Sequence, residues 1–443
     1  MALTRKNLIL LFFALIFIIS SRESEAKVYI DLSAPAVKKL PVIVRGFKYT
    51  GKTPTDPRQG QVIENIKSEL MNSVVSDLKF SNLFAIVEDS RAAQIPDVEL
   101  QAIELLGCRQ AGADLIIKGT YSIDDKTLVS EITMLDCVNE QAVMEKRYYG
   151  SAAFPRRLIH YFSDQLYEEL TGKKGIFSTR LLFVSDRGGN KEIYVSDYDG
   201  RGARQITRNK AINLSPQWSP DGKKMLYISY KSGVPALYMF DLTTGRDAVI
   251  SDKQGLNIAG RFSPDGTRVA LTLSAEKSPE LYALELASRA LTRLTDNHGI
   301  DVSPTWSPDG ARISYTSDAA GNPHIYVLDV ETKEAKRLTY NGKYNSSPAW
   351  SPDGGLIAFS RSDGSGRFNI WTIRPDGTNE TQITFEGNNK NPSWSPDGRF
   401  IVFSSTRDKV TALYVMRLDG TGLTRIASVV GNETMPAWSP FLK

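Results

Sequence analysis

Histidine and cysteine, two side chains that often bind metals in proteins, are scarce in this chain, which has three histidines and two cysteines among 443 residues. His160, His298 and His324 are far apart in the sequence, so we do not expect a shared metal site. The chain also lacks a Gly-x-Ser-x-Gly segment, the turn that presents the nucleophile of propeller-bearing peptidases. Its Gly188-Gly189 pair lies in a predicted hairpin rather than between a strand and a helix, so no phosphate-binding loop is predicted.

Long apolar runs are absent apart from one near the start of the chain. Residues Leu8 to Ile19 are continuously apolar, follow Arg5 and Lys6, and precede Ser24-Glu25-Ala26. This pattern is typical of a secretory signal peptide, here residues 1–26, cleaved after Ala26. The run has 12 residues, fewer than the roughly 20 of a membrane-spanning helix. An uncleaved anchor is the alternative, but we expect an exported chain without direct membrane insertion.

No charge of one sign predominates. The chain has 54 basic and 50 acidic residues, and removal of residues 1–26, with three basic and two acidic residues, leaves a net charge of +3. A chain this close to neutral gives no electrostatic reason to expect binding to nucleic acid or to an anionic membrane.

The two cysteines, Cys108 and Cys137, allow two interpretations. In the oxidising compartment of an exported protein they can form one disulfide. The sequence does not show that their Cβ atoms meet, so two separate buried thiols are the alternative. Neither cysteine lies near Ala26, so no thiol is available there for a lipid anchor.

Internal repeats dominate the second part of the chain. The segment Trp218-Ser-Pro-Asp-Gly222 recurs at steps of 44 residues, with Phe262 replacing tryptophan in the second copy, and the sixth copy ends as Trp438-Ser439-Pro440. Only the fifth copy slips by one residue, in the loop from Ser362 to Asn369. Insertions confined to loops favour a series of equal folded units.

Each copy is predicted to form four short antiparallel strands. In the Ser-Pro-Asp-Gly turn, proline fixes φ and glycine accepts the left-handed conformation. The strand Lys224 to Ser229 is apolar on both faces and therefore needs cover on both sides, which stacked blades provide. Units of about 40–50 residues with four strands are typical of β-propellers. We therefore predict an all-β six-bladed β-propeller over residues 181–443.

The ends of the repeat region predict how the ring closes. The first copy begins at Leu181 without its Trp-Ser-Pro strand, and the last copy supplies that strand alone, at Met435 to Pro440. We expect the C-terminal strand to pair with Leu181 to Ser185 and complete one blade, which removes two exposed sheet edges.

Residues 27–172 lack the repeat and are predicted to form a separate α/β domain, joined to the propeller by a linker at residues 173–180. The predicted elements are a strand at Val42 to Phe47, a helix carrying Ile63, Ile66, Leu70, Val74 and Leu78, a strand at Ala85 to Val87, a helix at Val98 to Gly107, a hairpin of Leu115 to Ile123 with Leu128 to Leu135, and a helix carrying Leu158, Phe162, Leu166 and Leu170. Gly172 is placed to cap the last helix.

This domain order resembles the TolB family, the periplasmic propeller components of Tol-Pal envelope systems. The resemblance covers the whole mature chain and is carried by the signal peptide, the segment Gly112 to Gly119, the junction Leu170 to Gly175 and the six Trp/Phe-Ser-Pro motifs. It implies a non-enzymatic periplasmic adaptor without a cofactor, which we expect to be monomeric. The implied partners are the lipoprotein Pal, at one mouth of the propeller, and TolA, at the first mature residues. The implied role is to maintain outer-membrane integrity and to aid cell division.

The resemblance also implies two sets of partner-binding residues. The Pal-facing set lies just upstream of each repeated Trp or Phe and comprises Asn213, Ser215, Leu256, Asn257, Asp301, Val302, Asn345, Ser346, Asn389, Asn391, Glu433 and Met435. The TolA-binding set is Lys27, Val28, Tyr29, Ile30, Asp31, Leu32, Ser33 and Ala34. For the first set the alternative is that the polar residues satisfy turn backbones, and for the second that the segment is an ordinary first strand.

Three other hypotheses stay open. A propeller lyase or hydrolase acting on polysaccharide is the main alternative function, although Asp221 directly precedes Gly222 and so departs from the Asp box of sialidases. Another kind of exported scaffold is the second. Asp301 and Glu433 could also contribute to a calcium site at the propeller mouth, although such acids more often stay solvated.

Overall fold

The computed structural model describes residues 39–87, 101–274, 278–426 and 431–442. The predicted signal peptide and the segment 27–34 lie outside these residues. The chain divides into two compact units, Met1–Lys174 and Gly175–Lys443, and this division falls inside the segment predicted as a linker. Among the helices described, none is both long enough and apolar enough to cross a membrane.

The first unit is built on a five-stranded mixed sheet with three helices described. In chain order its elements are β1 (Leu40–Tyr49), α1 (Pro57–Ser81), β2 (Phe84–Ile86), α2 (Gln101–Gln110), β3 (Leu115–Asp124), β4 (Thr127–Asp136), β5 (Gln141–Ser151) and α3 (Pro155–Thr171). The strand order is β2-β1-β3-β4-β5. β1 is parallel to β2 and β3, and the strands from β3 to β5 form an antiparallel meander.

The predicted elements of this unit are confirmed where the structure describes them. Asp56 begins α1 by accepting a hydrogen bond from the Arg58 amide, at 2.9 Å. Gly172 ends α3 in the left-handed conformation, with φ 67°, as its position predicted. The sequence analysis missed β5, because its residues Glu145 to Arg147 are charged and exposed and do not resemble a buried strand.

The cysteines form a disulfide, which settles the alternative that the sequence left open. Cys108 lies near the end of α2 and Cys137 directly follows β4. Both are fully buried in a cluster with Ile43, Ile116 and Leu135, side chains from three neighbouring strands. The bond therefore fastens α2 to the sheet.

The second unit is a ring of six four-stranded antiparallel sheets, or blades, as predicted. From the axis outward, blade 1 contains β9 (Asn213–Trp218), β10 (Lys224–Ser229), β11 (Ala236–Asp241) and β12 (Arg246–Ser251), and blade 2 contains β13 (Asn257–Phe262), β14 (Arg268–Leu273), β15 (Glu280–Glu285) and β16 (Leu291–Arg293). Blade 3 contains β17 (Asp301–Trp306), β18 (Arg312–Ser317), β19 (His324–Asp329) and β20 (Ala335–Arg337).

The remaining blades have the same plan. Blade 4 contains β21 (Tyr344–Trp350), β22 (Ile357–Ser362), β23 (Phe368–Ile373) and β24 (Thr381–Gln382), and blade 5 contains β25 (Asn389–Trp394), β26 (Phe400–Asp408), β27 (Val410–Arg417) and β28 (Thr424–Arg425). Blade 6 combines the last strand, β29 (Glu433–Trp438), with β6 (Arg180–Ser185), β7 (Glu192–Asp197) and β8 (Arg204–Gln205).

Blade 6 confirms the predicted closure of the ring. β29 pairs antiparallel with β6, with Glu433 opposite Ser185 and Trp438 opposite Leu181. The closing strand begins two residues earlier than predicted, at Glu433 instead of Met435. The residues from both ends of the propeller thus share one sheet, which leaves no unpaired inner edge there.

The repeated Ser-Pro-Asp-Gly turns have the predicted chemistry. Their glycines Gly222, Gly266, Gly310, Gly354 and Gly398 have φ between 69° and 73°. In the first turn, the Asp221 carboxylate accepts hydrogen bonds from the Ser219 hydroxyl at 2.5 Å and from the Lys223 amide at 3.0 Å. These bonds hold the pKa of Asp221 below its usual range.

Candidate functional site

The propeller has two chemically different ends. Because the four strands of a blade alternate in direction, the innermost strand begins at the same end at which the second strand finishes. We call this end the loop face; it is formed by the loops that connect consecutive blades and by those between the second and third strands of each blade. The opposite end carries the Ser-Pro-Asp-Gly turns.

Six of the predicted Pal-facing residues are the first or second residue of an innermost strand and are almost completely buried: Asn213, Asn257, Asp301, Asn345, Asn389 and Glu433. Five of them, all except Glu433, have hydrogen bonds described here that reach the preceding blade. Asn213 donates a 2.9 Å hydrogen bond to Glu192 of blade 6 and accepts one of 2.8 Å from Ser229 of its own blade. Because they are buried, these residues have a structural role in the blade junctions. Their placement does not support direct contact with a partner at the surface.

The junction between blades 2 and 3 differs because it contains two buried acids, Glu280 and Asp301. The Asn297 amide donates a 2.7 Å hydrogen bond to Asp301. Burial raises the pKa of Asp301 and the nearby Glu280 raises it further, although hydrogen bonds from Ser317, Thr295 and Asn297 oppose the shift. This junction therefore contains an unfavourable buried charge, which is absent where asparagine occupies the position of Asp301.

At the next junction, a histidine takes the position that Glu192 and Glu280 occupy elsewhere. His324 is buried and forms hydrogen bonds with Thr339 and Asn345. Its Nε2 accepts a 2.8 Å hydrogen bond from the Arg337 guanidinium. Burial and the positive charges of Arg337 and Arg361 lower the pKa of His324. A neutral imidazole therefore completes this junction, which is a structural use of one of the chain's few histidines.

The other six predicted residues have more varied positions. Leu256 is exposed on the loop face, with 37% of its surface accessible, while Val302 and Ser346 are partly buried on their strands. Ser215, Asn391 and Met435 line a small cavity on the propeller axis. The structure thus brings part of this set together around the axis and leaves Leu256 at the rim.

Exposed apolar side chains reveal a surface that the sequence analysis missed. Of the twelve large apolar residues exposed on the described part of the propeller, nine lie on the loop face. They are Ile212, Tyr230, Val234, Leu256, Ile300, Tyr340, Tyr344, Phe385 and Val410. Phe385 and Tyr340 are the most exposed, at 75% and 70%. Monomeric proteins rarely expose so concentrated an apolar surface unless it binds a partner.

A sequence signal for part of this surface exists. Ile212, Leu256, Ile300 and Tyr344 follow each other at the 44-residue step. Each directly precedes one of the buried residues Asn213, Asn257, Asp301 and Asn345. An apolar residue that recurs in an otherwise polar loop has no core to enter, so its repetition indicates a surface patch. The sequence analysis used only Leu256 from this series.

The geometry gives no support to a calcium site. The Glu433 carboxylate pairs with the Arg187 guanidinium, and Asp301 lies in a different blade. Within the described ranges, no group of three or more His, Cys, Asp or Glu side chains could hold a metal ion.

Comparisons with known proteins agree with this architecture. The chain matches the TolB amino-terminal domain over residues 28–143 and the TolB beta propeller domain over residues 167–442. It is 60% identical over 364 residues to the Tol-Pal system protein TolB of Geobacter sulfurreducens, covering 82% of this chain and 84% of the relative. It is 55% identical over 412 residues to that of Geobacter metallireducens, covering 93% and 94%.

A solved structure shows the same fold. The crystal structure of TolB from Acinetobacter baumannii superposes with a TM-score of 0.76 at 26% sequence identity, covering 91% of this chain and 97% of that one. The assignment of this chain to a family rests on the two domain matches, on the sequence identity to these relatives and on this structural similarity. The chain belongs to the TolB family of Tol-Pal system proteins.

Proposed function

We propose that this chain is a periplasmic, non-catalytic adaptor that binds a Pal-like lipoprotein on the loop face and a TolA-like protein through residues 27–34. By these contacts it would help to maintain the outer membrane and to support its constriction at division. Membership in the TolB family supports a protein-binding role. The apolar surface of the loop face supports the location of the first contact.

The concentration of exposed apolar side chains at one end of the propeller is the observation that carries this proposal. Full burial of one such side chain contributes about 1.5–3 kcal/mol, so a few of them suffice for a stable contact. Aromatic anchors such as Tyr340 and Phe385 commonly dominate the binding energy of an interface. The loops that carry them are held by rigid blades, which keeps the surface preformed.

The loop face can be tested with matched substitutions. Phe385→Glu and Tyr340→Glu should each weaken capture of a purified Pal-like lipoprotein by roughly tenfold or more, because they place a charge at the contact. Val249→Glu and Leu423→Glu are the controls, since both residues are similarly apolar and are 42% and 43% exposed but lie away from the loop face. Isothermal titration calorimetry measures the affinities. Unchanged affinity in both loop-face variants would exclude this surface as the docking site.

The TolA contact needs a separate test because residues 27–34 lie outside the described ranges. Val28, Ile30 and Leu32 alternate with polar residues, a pattern that suits a strand added to the edge of a partner's sheet. Deletion of residues 27–34 should abolish capture of a TolA-like domain and preserve capture of the lipoprotein. Loss of both contacts, or of neither, would contradict a TolA-binding role for this segment.

No described feature favours the alternative that the propeller cleaves polysaccharide. Incubation of the mature chain with polyuronides, followed by absorbance measurement of unsaturated products, tests it directly. Appearance of such products in proportion to protein concentration would overturn the adaptor proposal.

A further inference from the structure

The propeller axis contains a small polar cavity of about 70 Å³. Residues of all six innermost strands line it, including Ser215, Ser303, Ser347 and Asn391. A volume of this size exceeds the roughly 10–15 Å³ that one water molecule requires. The cavity can therefore hold a small solute together with water.

The backbone around this cavity has an unusual conformation in every blade. Six residues at the same repeat position have positive φ between 52° and 58°: Ser215, Ala259, Ser303, Ser347, Asn391 and Met435. At each of them the pairing with the second strand shifts register. These bulges interrupt the ladders around the axis, which turns polar groups of the inner strands toward a shared space.

Among the residues that the structure describes, Arg261 is the only charged one that lines the cavity. The equivalent positions of the other blades carry Gln217, Thr305, Ala349, Ser393 and Ala437, all uncharged. The residue before it, Gly260, also lines the cavity and replaces a proline that the other five blades have there. Blade 2 therefore adds both a guanidinium and a backbone N–H that the other blades lack.

The positive charge of Arg261 has no compensating carboxylate among the residues that the structure describes. Burial alone lowers the pKa of Arg261 to about 10, although the residue is not completely shielded from solvent. At neutral pH the guanidinium is still a cation. A largely desolvated charge is unfavourable unless an opposite charge accompanies it, and arginine does not escape this cost by losing its proton.

We propose that the axial cavity binds one small anion, such as chloride or an inorganic oxyanion, held by the Arg261 guanidinium with hydrogen bonds from nearby side chains. Ser215, Ser303, Ser347, Gln217 and Asn391 supply hydroxyl and amide donors around the same space. The site requires no partner protein, so it stands apart from the proposed adaptor function.

Thermal unfolding of the mature chain tests the proposal. At constant ionic strength, replacement of a bulky organic anion by chloride or sulfate should raise the melting temperature of the propeller by about 2–5 °C, because a ligand of the folded state stabilises it. Arg261→Gln, which introduces the residue of blade 1, should remove this anion-dependent rise. Arg261→Lys should retain part of it, since it keeps the charge.

Arg204→Gln is the matched control, because it removes one positive charge from an exposed position of the same propeller. This variant should respond to anions as the unsubstituted chain does. An equal anion response in Arg261→Gln would overturn the proposal. A second measurement does not depend on any variant: crystals soaked in bromide should show an anomalous peak in the cavity next to Arg261, and its absence would also overturn the proposal.

Discussion

The indole Nε1 of Trp218 donates a 3.0 Å hydrogen bond to the carbonyl oxygen of Ala437, which lies 219 residues later in the chain. The same contact joins Trp306 to Arg261 at 3.2 Å and Trp394 to Ala349 at 2.9 Å. The repeated tryptophan therefore binds each of these blades to the preceding one. Between blades 1 and 6, this bond joins β9 to β29, the strand that closes the ring by pairing with β6 within blade 6.

Loss of the closing strand should abolish the folded propeller. Deletion of residues 433–443 removes β29 and leaves the inner edge of β6 unpaired, so we expect aggregation and no cooperative thermal transition of the propeller. Size-exclusion chromatography and circular dichroism measure both effects. A chain that ends at Leu442 keeps β29 and is the control. A truncated chain that melts like the control would contradict closure by β29.

A milder change isolates the tryptophan hydrogen bond. Trp218→Phe removes ring volume and a hydrogen bond, whereas Trp350→Phe removes ring volume only, because the buried Trp350 Nε1 has no partner within the described structure. We expect Trp218→Phe to lower the free energy of unfolding by about 1 kcal/mol more than Trp350→Phe does. Chemical denaturation measures both losses, and equal losses would show that the bond contributes nothing.

Asp301→Asn should stabilise the propeller at neutral pH. Four of the other five blades already have asparagine at this position, so the substitution fits the junction and removes a buried charge. We expect a gain of about 1 kcal/mol, the scale of one hydrogen bond in a protein. Differential scanning calorimetry of both chains measures the gain. Asn257→Asp is the reciprocal variant and should destabilise, because the Asn257 amide donates hydrogen bonds to the carbonyl oxygens of Lys253 and Gly255 that a carboxylate cannot make.

The gain from Asp301→Asn should depend on pH in a defined direction. The folded-state pKa of Asp301 is raised above its ordinary value of 3.8, so the unsubstituted chain is most stable below that value and loses stability as pH rises through the raised pKa. The advantage of the asparagine variant should therefore vanish below about pH 4 and be largest near neutral pH. An advantage that grows at low pH would show that the charge of Asp301 is not its cause.

The disulfide should stabilise the N-terminal unit alone. Cys108 and Cys137 are separated by 29 residues, and a bond that closes a loop of this length contributes about 3–4 kcal/mol by restricting the unfolded chain. Replacement of both cysteines by serine should lower the stability of this unit by that amount and leave the propeller transition unchanged. Reduction of the unsubstituted chain should reproduce the effect. Full labelling of both thiols in the unreduced, denatured chain would refute the bond.

The repeat made the propeller predictable because apolar strands and turn residues recur in register. The 44-residue step fixed which segments pair, and the incomplete first and last copies indicated closure. β5 escaped prediction because its central residues, Glu145 to Arg147, are charged and exposed and interrupt its apolar pattern. Its position follows only from the antiparallel meander with β4.

The candidate site was harder to predict because a repeated residue can either hold the blades together or contact a partner. Asn213 and its equivalents recur as regularly as the tryptophans, and the structure shows that both sets hold blades together. A partner without six-fold symmetry has no reason to contact six identical positions. Residues that break the repeat, such as Phe385, Tyr340 and Arg261, are therefore better candidates for specific contacts than the buried polar residues that conform to it.

The shared sheet of blade 6 has a consequence for the order in which strands can pair as the chain emerges from its N-terminal end. The hairpin of β6 and β7 precedes β29 by a long stretch of chain, since Arg187 and Glu433 are separated by 246 residues. The unfinished blade therefore stays without its fourth strand until nearly the whole chain has emerged. The last residues of the chain thus decide whether the ring forms at all. Only a complete polypeptide can cover the unpaired edge of β6, which is otherwise accessible to other chains and to proteases.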